Sequence, residues 1–434
     1  MILFFYIFYV VNCAAVLSLF LKEVRRASPI AVLWFGVFAF FLLPSFFDPF
    51  VDRAGQHAYS VVYDLSTYTL VKVQLYVFLV LLAYFLCSQV LFKVFGRGEY
   101  DLEYFKAQLN SSDENGKYAL FCILLLVSFS FFEVFSKFGM GVFGGFGFVD
   151  RRESLSLISG FLLSYNLFIC AGFVYWLFSR GKVVAASGVF VFYLLIYLIL
   201  GGSRQPLIVV ILPFVFGFIF LSRHVFAYSV LLCFSYTLIA KALQFMLYLR
   251  NLSGWDARLD AFRDFFNILF FSEEAIASNE SGLRFAFYYF VQEYEKIQSF
   301  GGFSYLLRLA FFWLPSRFDP VGLKPPDFEY EMFAVFMPGY VGTMHPTFFG
   351  TLFADAGWFF LPWVLFISVL TLMTYRILPK FNSVLFFPAW ALFAYAYMMM
   401  ARGAIYGPFV VLVLGLCVLY LVQRVTTFMS NKRC

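Results

Sequence analysis

The sequence predicts an all-α, polytopic integral membrane protein of about eleven transmembrane helices, a single transmembrane domain over 1–434 with one large outer loop near 248–346. Three observations carry this. Hydrophobic residues make up 63% of the chain and charged residues only 13%, with a mean hydropathy of +0.85, too little polar surface for a soluble exterior. Apolar stretches of about 20 residues recur, each long enough to cross a hydrocarbon core. The basic residues behind the net charge of +6 fall in short clusters between those stretches, which suits a topological role better than nucleic-acid binding.

In chain order, spans are expected near 2–21, 30–49, 74–94, 118–136, 157–178, 183–201, 205–221, 225–247, 348–374, 383–400 and 404–423. The opening "MILFFYIFYVVNCAAVLSLFLKEVRR" carries its charges after the apolar core, so it reads as a retained first helix. With the N-terminus outside, the inner segments hold Lys22, Arg25, Arg26, Lys93, Arg97, Lys106, Lys117, Arg180, Lys182, Arg223, Arg376, Lys380, Arg424, Lys432 and Arg433. The short outer segments hold fewer: Arg53, Lys72, Lys137, Arg151, Arg152, Arg204 and Arg402. Cysteines are scattered, six of seven within apolar runs, with no CxxC pattern or disulfide framework.

The outer loop is too long to be idle. Its "FSYLLRLAFFWLP" is apolar but too short to span, so it is expected in the interface or packed over the bundle, with Trp313 at headgroup level. The outer arginines violate the basic-inside bias and therefore need a reason. Arg204 follows "GGS" and Arg402 sits in "MMMARGAIYG", both in tight turns beside glycine, which permits a left-handed cap or a close backbone approach. Several guanidiniums at one membrane face suit phosphate oxygens, because the planar fork donates two parallel hydrogen bonds.

The pieces "GGSRQPLIVVILPFVFGFIF", "WLPSRFDP", "MHPTFFGTLFADAGWFFLPW" and "MMMARGAIYG", taken in order, resemble the Wzy-type O-antigen and oligosaccharide repeat-unit polymerases. The resemblance covers most of the chain, including the helix number and the large loop before the last three helices. It implies a metal-independent glycosyltransferase of the bacterial inner membrane, active at the periplasmic face, with no cofactor. Donor and acceptor would both be oligosaccharides on undecaprenyl diphosphate, set in membrane lipid, with a chain-length regulator protein as a further partner and no nucleic acid.

Read for that chemistry, a departing diphosphate accumulates negative charge, and fixed arginines can stabilise it. Arg204 and Arg402 lead, followed by Arg317 and Arg250, then Arg151 and Arg308. A base must take the proton of the acceptor hydroxyl, and His345 in "GTMHPTFFG" is the first choice. Asp355, placed inside the ninth span, is a substrate-binding candidate as an intramembrane acid, and Glu331 and Asp327 in "PPDFEYEMF" could act as base or bind sugar hydroxyls.

Each has a plainer competitor. Arg204 and Arg402 could be interfacial anchors, His345 a residue at a helix start, Asp355 a partner of Lys241, and Glu331 a solvated acid. His57 and His224 have weaker claims, and the pair Glu273 and Glu274 has no spacing in its favour. The glycine-rich 139–148 reads as a turn carrying Arg151 and Arg152, since no P-loop, HExxH or DxD pattern is present. Trp255, Trp313 and Tyr340 suit either sugar stacking or an aromatic belt. An O-antigen ligase would use the same cations with another acceptor; a lipid-linked oligosaccharide flippase should show repeated halves and midplane charges, which this chain lacks apart from Lys241 and Asp355.

Overall fold

The computed structural model describes residues 1–50, 57–58, 61–62, 65–96, 98, 100–110, 132, 136, 172, 174–191, 205–233, 235, 260–261, 263–264, 279–294, 302–314, 323–326, 328–336 and 343–431. Apart from one antiparallel pair of two-residue strands, His57–Ala58 with Val61–Val62, the strand and helix content of these residues is helical.

Among the described residues, six helices are long and apolar enough to cross a membrane. They are α1 (Ile2–Val24), the segment Ile30–Phe50 that begins with α2 (Ile30–Val37), α3 (Thr67–Phe95), α10 (Leu361–Ile377, with its 3-10 extension to Lys380), α11 (Ser383–Arg402) and α12 (Tyr406–Asn431). Between α3 and α10 lie α4 (Leu102–Asn110), α5 (Gln205–Leu221), α6 (Asn279–Gln292), α7 (Ser304–Ala310), α8 (Phe328–Phe336) and α9 (Thr347–Ala356). Almost all of the expected span at 118–136, most of that at 157–178, and parts of those at 183–201 and 225–247 fall outside the described residues.

Local chemistry sets the ends. Ser66 Oγ accepts from Thr69 N at 3.1 Å to start α3, and Asn382 Oδ1 accepts from Leu385 N at 3.1 Å to start α11. Gly96, with φ +71°, ends α3. After α2 the helix widens into a π turn over Phe38–Leu42, where Leu43 N reaches back to Phe38 O just before Pro44, a residue with no N–H to give.

The core is built around α11, apolar on every side and buried almost throughout. It packs against α2, α5, α9 and α12, while α3 runs between α1 and α10. Lipid is as apolar as leucine, so close packing and interhelical hydrogen bonds hold such a bundle together. A Cβ added to Gly36 of α2 would stand 2.5 Å from Ala401 Cβ, so these two helices meet at backbone distance. Asn12 Nδ2 donates to Gln74 Oε1 at 2.9 Å, Tyr84 and Thr371 share a hydrogen bond of 3.1 Å, and Thr374 and Tyr397 one of 2.7 Å.

One expected boundary is corrected. The ninth span, read as continuous over 348–374, is broken: α9 stops at Ala356, Gly357 turns at φ +55°, and α10 begins at Leu361 with Pro362 in its first turn. "GWFFLP" is apolar enough to look like uninterrupted span, but glycine and proline punctuate it. Asp355 therefore lies at the end of a short buried helix, before the span rather than within it.

Candidate functional site

The described part of residues 248–346 folds back onto one end of the bundle. There α6 packs on α9 and α3, and α7 packs on α9 and α12. Arg284 of α6 grips Asp48 at the end of the second span with Nε and Nη2, the shortest contact being 2.7 Å, and Tyr288 adds its hydroxyl to the same carboxylate. Gln292 Oε1 accepts from Ser66 N and Thr69 Oγ1 at the start of α3.

Asp355 organises the next layer. Its carboxylate accepts from Tyr305 N at 2.8 Å, Leu306 N at 3.3 Å, Ser304 Oγ at 3.4 Å and Trp363 Nε1 at 2.8 Å, so it caps α7 and ties it to α10. These four donors occupy a fully buried side chain that the sequence offered as a sugar ligand. Its visible work is to aim α7.

What α7 presents is Tyr305. Its ring is stacked on Phe328 at 5.1 Å between centroids, with Trp363 at 5.8 Å. The hydroxyl accepts from Tyr406 N at 2.9 Å and Ile405 N at 3.2 Å, the orphan amides that open α12, and donates to Glu329 Oε1. Burial and the Glu329 charge push the phenol well above its ordinary pKa, which keeps it a proton-bearing donor.

Glu329 joins Tyr305 to His345. The second carboxylate oxygen, Oε2, stands 3.5 Å from His345 Nδ1, and Met344 N donates to the Glu329 carbonyl at 3.0 Å, holding the histidine loop against α8. His345 Nε2 points toward Thr343 Oγ1 at 3.4 Å. Burial first, and the Arg402 guanidinium second, lower the imidazole from 6.5 to about 3. Arg402 thus acts directly on the field at His345, and the imidazole is neutral at physiological pH.

The turn carrying Arg402 has the geometry that its glycine allows. Gly403 adopts φ +110°, and its backbone lies so close to α9 that an added Cβ would meet Thr347 O at 2.8 Å. Thr351 Oγ1 donates to Gly403 O at 2.8 Å, pinning the turn. Two more cations share the ring of Tyr406 just beyond: the Arg308 guanidinium at 4.5 Å and Lys324 Nζ at 5.3 Å. Arg308 Nη1 also donates to Pro325 O, and Lys324 Nζ to Leu314 O at 3.0 Å.

Of the residues singled out from sequence, His345, Arg402 and Arg308 therefore meet around the α11–α12 turn, with Asp355 supporting them from below. Glu331 is exposed on α8, and Trp313 is exposed after α7. Arg204, Arg250, Arg317, Arg151 and Arg152 lie outside the described residues, as do Lys241, Asp327, Tyr340, Trp255, Glu273, Glu274 and the glycine-rich 139–148. The sequence reading missed Tyr305, Glu329, Lys324 and Tyr406. Among the described residues no cluster of three or more His, Cys, Asp or Glu is arranged to hold a metal ion. Compared with protein-family models, with curated proteins and with solved structures, the chain matches none.

Proposed function

We propose that the chain is a polyprenyl-diphosphate-dependent glycosyltransferase of the bacterial inner membrane, a Wzy-type polymerase that joins oligosaccharide repeat units at the periplasmic face. The observation that carries the reading is the His345 imidazole with the Glu329 carboxylate 3.5 Å from its Nδ1, in the field of the Arg402 guanidinium at one mouth of an apolar helix bundle. Lys22, Arg25, Arg26, Lys93, Arg376, Lys380 and Arg424 gather at the opposite mouth, which by the basic-inside rule is cytoplasmic.

In this mechanism His345 Nε2 accepts the proton of an acceptor sugar hydroxyl, whose oxygen bonds to the anomeric carbon of the donor. The bond from that carbon to the diphosphate breaks with its electron pair, and the polyprenyl diphosphate leaves as an anion. Arg402 stabilises the charge that builds on it, with Arg308 and Lys324 as further cations of the same mouth. The cation also tunes the base. After burial, the Arg402 charge is the second cause that lowers the imidazole, so a diphosphate bound beside it would offset part of that charge and make His345 more basic while substrate is bound.

The test is purified protein with polyprenyl-diphosphate oligosaccharide. A ladder of longer glycans is the expected product, lost in His345→Ala. One transfer onto a lipid A core would make the chain a ligase, and an absence of any new glycosidic bond would reject the enzymatic reading.

A further inference from the structure

We propose that Tyr305 is a positioning residue of this site: by donating to Glu329 Oε1 while accepting from the amides of Ile405 and Tyr406 at the start of α12, it holds the second carboxylate oxygen against His345 Nδ1 and ties that pair to the Arg402 turn. The inference rests on the reading of His345 as base. It adds two residues, Tyr305 and Glu329, that residue pattern alone did not single out.

The geometry is directional. A glutamate free to rotate would offer His345 either oxygen or neither, at the cost of ordering three side-chain torsions. Here Oε1 is occupied by the phenol, which leaves Oε2 as the oxygen facing Nδ1 at 3.5 Å. The phenol is itself fixed by two backbone N–H groups that belong to the segment following Arg402 and Gly403, so the carboxylate and the arginine turn share one anchor. Asp355 fixes the other side of Tyr305 through the backbone amide. Accepting from two amides also polarises the hydroxyl and strengthens its donation to the carboxylate.

The consequence is a choice of tautomer. With Oε2 3.5 Å from Nδ1, the carboxylate favours the neutral imidazole that carries its proton on Nδ1, which puts the lone pair on Nε2, where an acceptor hydroxyl would take the place of the Thr343 hydroxyl now 3.4 Å away. The groups that bear on this imidazole are Glu329 from α8, Arg402 from the end of α11, the Thr343 hydroxyl of its own loop, and Tyr305 acting through Glu329.

Tyr305→Phe deletes only the hydroxyl and keeps the ring against Phe328 and Trp363, so the packing survives. The readout is the nitrogen chemical shifts of the full-length protein with 15N-labelled histidine at neutral pH, the three histidine signals being assigned with His345→Gln. Wild type should show His345 with the proton on Nδ1. Both Tyr305→Phe and Glu329→Gln should shift it toward the Nε2-protonated form that free imidazole side chains prefer. Turnover in Tyr305→Phe should fall on the order of tenfold with KM for the lipid substrate unchanged, as expected for loss of orientation rather than of binding.

A wild-type tautomer in Tyr305→Phe overturns the proposal, whether or not turnover falls, because the ring alone then suffices. A shift in tautomer with no polymer formed even by wild type supports the positioning and rejects the catalytic reading. The two failures are thus separate.

Discussion

The two mouths of the bundle handle positive charge differently. At the mouth holding Lys22, five of the seven gathered cations, Arg25, Lys93, Arg376, Lys380 and Arg424, are exposed, and their side chains reach water past apolar stems. At the other mouth Arg284, Arg308, Lys324 and Arg402 are all at least half covered, each engaged with a carboxylate, an aromatic ring, a carbonyl or the field of a histidine. Exposed cations serve topology, because headgroups and water solvate them at little cost. Covered cations must be ordered by the fold, and ordering is what makes a guanidinium useful for recognition. The contrast also divides the covered set by what the charge acts on: Arg284 is paired with Asp48, whereas the Arg402 charge bears on the His345 imidazole.

Breaking the matched pair should give the largest effect. Arg284→Ala leaves the Asp48 carboxylate fully buried with only the Tyr288 hydroxyl, and loss of one partner of a buried pair costs about 3–5 kcal/mol. The thermal midpoint of the purified protein should drop steeply, and replacing both partners by apolar residues should recover part of it. An unchanged midpoint would mean that α6 is not held by this pair, and the distinction between structural and functional cations would lose its clearest member.

Replacing Arg402, whose field reaches the proposed base, should stop the chemistry. Arg402→Ala is expected to lower polymer formation on the order of 10²–10³-fold, the usual loss for one preorganised electrostatic group. Arg402→Lys should restore only part of it, because a point charge cannot replace a planar fork. Normal chain length in Arg402→Ala would remove Arg402 from the mechanism.

Much of this was legible in the sequence, and the reason is period and punctuation. Apolar runs of span length located all six described spans, and the glycine after Arg402 announced the turn that the Gly403 φ angle displays. The break at Gly357 was missed because apolar residues on both sides disguised it. Glu329 could not have been chosen over Glu331. Phe328 and Met332 form the buried stripe of α8, and the two glutamates flank that stripe on opposite sides at nearly equal angles, so only the tertiary contact with His345 selects one. Tyr305 was hidden for a related reason: one tyrosine among 28 stands out only when its hydroxyl is seen between Glu329 and the start of α12.

A smaller effect should appear in the pH dependence of stability. The folded state holds His345 at about 3, against 6.5 for the unperturbed side chain, so below 6.5 the unfolded chain takes up a proton that the folded chain refuses. The stability associated with the neutral imidazole is complete above 6.5 and is lost as pH falls from there toward 3. His345→Gln should flatten the midpoint against pH over that window. Arg402→Gln should flatten it less, because it removes the second cause of the shift and leaves burial, the first. Parallel curves for wild type and His345→Gln would show that the histidine is not held neutral by the fold.

The smallest effect is expected where the contrast says nothing should happen. Arg25 is exposed at the opposite mouth, next to Arg26, which lies within 3.8 Å of Glu23 and near the Tyr375 ring. Arg25→Gln should therefore change stability by less than about 0.5 kcal/mol and leave polymer length as it was. Its only consequence should be a modest rise in wrongly oriented protein, read by protease accessibility of a terminal tag, because one of several topological charges has gone. If Arg25→Gln impaired polymerisation as severely as Arg402→Ala while orientation stayed normal, exposure would not separate anchoring cations from working ones, and the assignment of the chemistry to a single mouth of the bundle would fail with it.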